Sequence, residues 1–319
     1  MRQLPYRSVS LIAALAAVFS APSFAGEVFS KPLSATGGLN TSCEVDPDGS
    51  DSDMYAWDEF VLSEDQTITE VRWLGGYELG APYGHATDFR VSFFDSNASG
   101  FEPKITAFPT HESQETVIAT FHTKDVAGES YAGTSGGKVV YAYHYTLKTP
   151  VALKKGVKYW FRIVATQVIY PDWGMATGIG GDGVHFRYST GTTMYQKPPH
   201  DLAFSLHSEW VNLGGGLAGT AGVPALSGTT AALSVTSAKA SSPAWFVGGL
   251  SQVNLPFAGG ILIPTPSVII GANTNATGTA TLPFVKPVGL PAGLQISIQA
   301  WVFDAAAPQG FSASNGISG

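Results

Sequence analysis

The sequence predicts an all-β protein built from two antiparallel β-sandwich domains, the first jelly-roll-like and the second smaller and Ig-like. Three observations predict it. Several stretches alternate polar and apolar residues with period two, as half-buried strands do. The chain holds 37 Gly and 20 Pro, which punctuate runs rich in Val, Thr, Tyr, Phe and Ile. Composition also changes sharply near residue 210. Residues 27–208 carry nearly all the ionisable side chains, whereas residues 211–319 carry only Lys239, Lys286 and Asp304.

Residues 1–25 read as a secretory signal. Arg2 and Arg7 precede the short apolar run Ser10–Phe19, and Ser23-Phe24-Ala25 supplies the small residues of a cleavage site before Gly26. The run is too short for a transmembrane helix, and no later segment reaches about 18 apolar residues, so no transmembrane segment is expected. A secreted, periplasmic or cell-surface location follows. Cys43 is the one cysteine, so no internal disulfide forms, and a buried or idle thiol is the expectation. Charged residues make up 13% of the chain and the formal net charge is −7. With no Lys/Arg stripe, nucleic acid is excluded as a partner.

The strands follow in order. Thr67–Leu74, Asp88–Phe94 and Glu115–Phe121 alternate cleanly. Lys138–Leu147 is a further strand, and the turn Lys154-Lys155-Gly156 leads into Val157–Ala165. Leu202–Phe204–Leu206 closes a domain spanning residues 26–210. Residues 211–222, which include Gly214-Gly215-Gly216, read as a linker. Within 223–319, strands are expected around Ala231–Val235, Ala244–Val247, Ile261–Ile263, Ser267–Ile270, Ala280–Phe284 and Leu294–Phe303.

Certain segments carry a resemblance. Ala56-Trp57-Asp58-Glu59-Phe60, Val71–Tyr77, Phe89–Phe94, Lys158–Ile163 and Asp201–Leu206 make the first domain similar to secreted bacterial β-sandwich domains found with assorted surface anchors. Leu290–Leu294, Gln299–Asp304 and Ser312–Gly316 make the tail similar to a domain at the ends of secreted proteins of planctomycete and myxobacterial type. The resemblance implies fold and export, and it implies no known activity.

Candidate sites are few. Asp46, Asp48, Asp51 and Asp53 form a dense acidic turn, either solvated or relieved by Ca²⁺, which takes six to eight oxygen ligands. The spacing is not that of an EF-hand. Gly133-Thr134-Ser135-Gly136-Gly137 fits the G-x-S-x-G pattern of a nucleophile elbow, but it leads into a strand where the elbow needs a helix. A Gly-rich hairpin is the better reading, and no catalytic residue is assigned. The histidines show no H-E-x-x-H motif and no helical i,i+4 pair; His122 and His144 could meet across neighbouring strands in a His/Asp metal site, and scattered strand and loop histidines are the ordinary reading. A glycan surface is the main candidate: Trp173, Tyr188 and Tyr195 to stack on sugar faces, Asp172, Asp182 and Arg187 to bind hydroxyls, and Tyr77 and Tyr83 from a neighbouring loop. The alternative for Trp173 is a core residue beneath a long loop.

The expectation is therefore a secreted, non-enzymatic binding protein for a glycan, an envelope component or a protein surface. Two alternatives stay open. One is an extracellular hydrolase with its site on the first domain, recognised by a cleft with convergent carboxylates or a Ser–His pair. The other is a cell-surface assembly protein, recognised by an exposed apolar patch. The sequence leaves the oligomeric state open.

Overall fold

Alternating stretches become strands, and the glycines between them serve partly as turns and partly as strand residues. The computed structural model describes residues 26–45, 53–79, 86–105, 117–124, 129–168, 172–189, 194–229, 231–285 and 294–319. The signal segment, the acidic residues Asp46, Asp48 and Asp51, and Tyr83 lie outside the described residues, as does the side chain of Tyr195.

The first unit comprises β1 (Gly26–Lys31), β2 (Leu39–Thr41), β3 (Cys43–Val45), β4 (Met54–Val61), β5 (Gln66–Tyr77), β6 (Ala86–Asp95), β7 (Ala119–His122) and β8 (Ser130–Ser135). It continues with β9 (Lys138–Leu153), β10 (Lys158–Gln167), β11 (Trp173–Gly178), β12 (Phe186–Ser189), β13 (Met194–Gln196), β14 (Asp201–Leu202) and β15 (Phe204–Ser208). One sheet runs β1-β15-β5-β11-β14, with β9 beside β5, β8 beside β9 and β2 beside β11. The other runs β13-β12-β4-β3-β10-β6-β7. Among the described residues, the strand pairings of this unit are antiparallel except that of β3 with β10, and an isolated parallel bridge joins Leu62 to Lys155.

The inward faces meet in one core that includes Phe60, Val71, Trp73, Phe89, Phe93, Phe161, Trp173 and Phe204. Cys43 is buried there, and burial pushes its thiol pKa up to about 12. A second apolar cluster, with Tyr55, Trp57, Phe94, Trp160 and Tyr188, lies on the other face of the β4–β10–β6 sheet. The Arg162 guanidinium sits over its rings, 5.0 Å from the Trp57 centroid and 4.9 Å from that of Phe94.

The segment expected to be a long ligand loop contains β11, a strand buried along its whole length. Its glycines let strands approach. A Cβ on Gly174 would lie 2.8 Å from the Asn40 backbone, and one on Gly178 would lie 2.5 Å from the Leu202 carbonyl oxygen.

The second unit holds β16 (Val211–Gly214), β17 (Ala225–Gly228), β18 (Ala232–Thr236), β19 (Pro243–Gly249), β20 (Gln252–Phe257), β21 (Gly260–Pro264), β22 (Val268–Asn273), β23 (Ala280–Pro283), β24 (Ser297–Phe303) and β25 (Phe311–Ser318). A sheet of order β16-β25-β24-β19-β22 faces the smaller β17-β18-β23 sheet. Between them lies a separate core that includes Trp210, Phe246, Leu233 and Ile298. The chain is thus all-β with sandwich-like packing, and among the described residues no helix is long and apolar enough to cross a membrane.

The expected linker at 211–222 needs correction. Val211 and Asn212 pair with Ser318 and Ile317 as the first strand of the second unit, and Leu217 bridges to Ala313. The glycines read as flexible spacers are instead strand and turn residues. Asn212 also closes the junction. It exchanges backbone bonds with the Gln66 side chain at 3.0 and 3.2 Å and donates through Nδ2 to the Asp65 carbonyl.

Candidate functional site

The anticipated aromatic surface is not assembled. Trp173 and Tyr77 are cross-strand partners on β11 and β5, but both point into the core. Trp173 is 0% exposed, its ring packs 4.9 Å from Phe89, and its indole N–H donates to Tyr143 Oη at 3.2 Å. Tyr77 and Tyr143 both donate to the Glu129 carboxylate, at 2.8 and 3.0 Å. Tyr188 is buried on the other sheet, stacked on Tyr55. None of these three rings presents a face for stacking. Asp172 is half-buried beside Trp173, Asp182 is exposed in the Gly180–Gly183 turn, and half-buried Arg187 donates to Met54 Sδ. Asp172 precedes β11 in one sheet and Arg187 lies on β12 in the other. The physical reason is register: glycines read as loop signals belong to a central strand, which carries its aromatics inward.

Of the acidic turn, only Asp53 is described, half-buried just before β4. Glu44 across from it is engaged: Arg90 grips both carboxylate oxygens, and Tyr55 donates to one at 2.8 Å. Among the described residues no group of three His, Cys, Asp or Glu side chains is placed to hold a metal ion. Ser135, in the G-x-S-x-G stretch, ends β8 and is fully buried. Its hydroxyl donates to the Thr36 carbonyl at 3.0 Å and accepts from Gly38 N–H at 3.1 Å, holding a hairpin against β1's connection.

The structure assembles a different surface. Ser30, Ser205, Arg72 and His144 lie directly opposite one another across β1, β15, β5 and β9. Antiparallel partners share a face, and their neighbours Phe204, Trp73 and Tyr143 point into the core, so this row points outward. Two residues along, His207, Glu70 and Thr146 form a second row on the same face, in which His207 and Glu70 are buried and Thr146 is exposed. Four strands at their usual spacing give a row about 14 Å long. It borders a groove of ≈ 600 Å³ to which Ser30, Glu70, Arg72, His144, Thr146 and Ser205 contribute.

The groove's polar groups are oriented. Arg72 donates through Nε to Glu70 Oε1 at 2.6 Å, while its terminal nitrogens make no hydrogen bond among the described residues. A carboxylate-anchored guanidinium presents two parallel donors, suited to a carboxylate or to adjacent hydroxyls. Because the arginine is half-exposed, the pair adds little stability. Ser205 Oγ lies 2.8 Å from His207 Nε2. All of these residues except Ser30 lie in or beside a stretch legible as a strand; β1, which carries Ser30, has no such signal, and only cross-strand register brings the rows together.

A second polar cluster lies between the sheets. Buried Lys31 meets Asp58 at 2.8 Å, Asp201 at 3.1 Å and Glu59 at 3.8 Å. Burial opposes the charge on Lys31, yet these carboxylates hold its pKa above the ordinary lysine value. Burial pushes Asp58 up to about 7, and Lys31 and the Leu202 N–H offset this only in part. Asp201 also accepts from Gly181 and Gly183 N–H at 3.0 and 3.2 Å. Its oxygens are committed to folding the glycine turn, so this cluster reads as structural. Beside it, His185 is buried, with Nδ1 2.7 Å from the His200 carbonyl oxygen. Among the described residues its Nε2 has no hydrogen-bond partner, and His185 lines a small ≈ 40 Å³ cavity together with Glu59 and Asp182.

Fold and groove define a β-sandwich domain with a polar face spanning four strands. Residues 27–206, from β1 into β15, match the family described as "Domain of unknown function (DUF7901)", and the chain belongs to that family. No curated protein matches the chain.

Proposed function

We propose that this is an exported, non-enzymatic binding protein whose first unit takes a short stretch of glycan in the groove over β1, β15, β5 and β9. The carrying observation is the outward row Ser30–Ser205–Arg72–His144, bordered by Glu70 and Thr146. Such a surface offers hydrogen bonds along its length without a deep, enclosed chamber. With Trp173, Tyr77 and Tyr188 buried, recognition rests on polar contacts, and the Arg72 donors favour a sugar carrying a carboxylate. The apolar leader at residues 1–25 supports export. Calcium in the turn of Asp46, Asp48, Asp51 and Asp53 belongs to the reading as a stabiliser, supported by charge density alone. The test is titration of neutral and uronate-bearing oligosaccharides into the mature protein and into Arg72→Ala. Arg72→Ala should abolish uronate preference.

One observation favours a second reading, that of a hydrolase. Ser205 and His207 form a Ser–His pair at 2.8 Å, and Glu70 is the cross-strand partner of His207. Reaction of Ser205 with a serine-directed fluorophosphonate would select this reading over simple binding.

A further inference from the structure

We propose that β22 pairs antiparallel with β22 of a second copy, joining two chains through their C-terminal units about a two-fold axis. The inference goes beyond glycan binding and concerns a different surface.

Strand β22 is the last strand of its sheet: it pairs with β19 from Val268↔Gly248 to Asn273↔Pro243, and among the described residues nothing pairs with its other side. Its apolar side chains stand in solvent. Val268 is 55% exposed, Ile269 60% and Ile270 40%. Ile270 lies opposite the core residue Phe246, so it and Val268 are on the core face, while Ile269 lies opposite Val247 on the other face. Both faces of the edge are therefore apolar and uncovered. A single side chain docking on one face would leave the other bare. An added strand covers both and also takes up the unpaired backbone groups.

Edge strands are usually blunted by a charge, a proline or a bulge. The segment Val268-Ile269-Ile270-Gly271-Ala272-Asn273 has no charged residue or proline, and its register with β19 is unbroken. Charge favours a second copy as the occupant. The chain carries a net −7, but from residue 211 onward it has only Lys239, Lys286 and Asp304, and Lys239 pairs with Asp304 at 3.3 Å. Two copies meet here without the repulsion their first units would impose. An uncharged edge gives a charged partner nothing to complement. An antiparallel strand pair about a two-fold axis is complementary to itself, and it closes, leaving no further edge at that site. Val268 and Ile270 of both copies would then extend the C-terminal core across the axis.

The test is sedimentation equilibrium of the mature full-length chain from 1 to 100 µM, beside Ile269→Lys, which changes an exposed side chain off the core face. The expected result is a wild-type dimer and a monomeric variant with unchanged circular dichroism and melting. If Ile269→Lys does not fold, Ile269→Thr keeps strand propensity and should raise the dimer Kd at least tenfold. A monomeric wild type at 100 µM, open-ended polymers, or a dimer indifferent to the folded Ile269 variant would each overturn the proposal.

Discussion

Ser205 Oγ and His207 Nε2 lie 2.8 Å apart on one face of β15, with Arg72 and Glu70 opposite them on β5. In the binding reading this pair is part of a polar ladder that fixes the Ser205 hydroxyl at the groove. The expected outcome with a fluorophosphonate probe is no labelling of the native protein, at Ser205 or at buried Ser135. Labelling lost in Ser205→Ala would instead establish the hydrolase reading.

Trp173→Ala should act on stability. The indole is enclosed by Phe89 and Tyr143 and donates to Tyr143. Removing a fully buried tryptophan costs about 3–5 kcal/mol. Denaturant unfolding of the mature protein measures it. A loss below about 1 kcal/mol, with weakened glycan binding, would restore the ring to a ligand face.

The aromatic surface expected from the sequence does not form, for a physical reason that also limits what local periodicity reveals. Strands β5 and β9 are legible because one face of each is polar and one apolar. Strand β11 is buried on both faces and carries Gly174 and Gly178, so it reads as loop although the glycines serve close packing. Strand β16 was hidden in the same way, by Gly214. Arg72, His144 and Ser205 are visible as polar positions on strands, but their convergence depends on β9 and β15 flanking β5, and strand order is not written in local periodicity. The change in composition near residue 210 falls between the residues of one core cluster and those of the other.

His185 should make the fold acid-sensitive. Burial lowers its pKa from 6.5 to about 4. The folded value lies below the unfolded one, so its stabilising contribution is complete above pH 6.5 and is lost as pH falls toward 4. The shift corresponds to about 3 kcal/mol. Asp58, raised to about 7, has the opposite sign: its contribution is present at low pH and is lost as pH rises toward 7. Comparing wild type with His185→Gln by urea unfolding at pH 7 and pH 4.5 isolates the histidine. The variant should lose less stability on acidification, and equal losses would contradict the assignment.

The junction predicts where the second unit can be cut. A fragment of residues 209–319 retains Trp210 and β16, whereas 217–319 removes a core indole and the strand paired with β25. The longer fragment should melt cooperatively and the shorter one should not. Cooperative melting of both at similar temperature would mean that β16 is dispensable.

The most direct test of the binding account is calorimetric titration of a uronate-bearing oligosaccharide, chosen from an array screen, into wild type, Arg72→Ala and His144→Ala. Both side chains are exposed on the groove face, so melting temperatures should stay close to wild type. The account predicts at least tenfold weaker binding in each variant. Unchanged affinity in both, or binding that survives there and is lost on changing Asp182 or Arg187, would contradict the groove as the site.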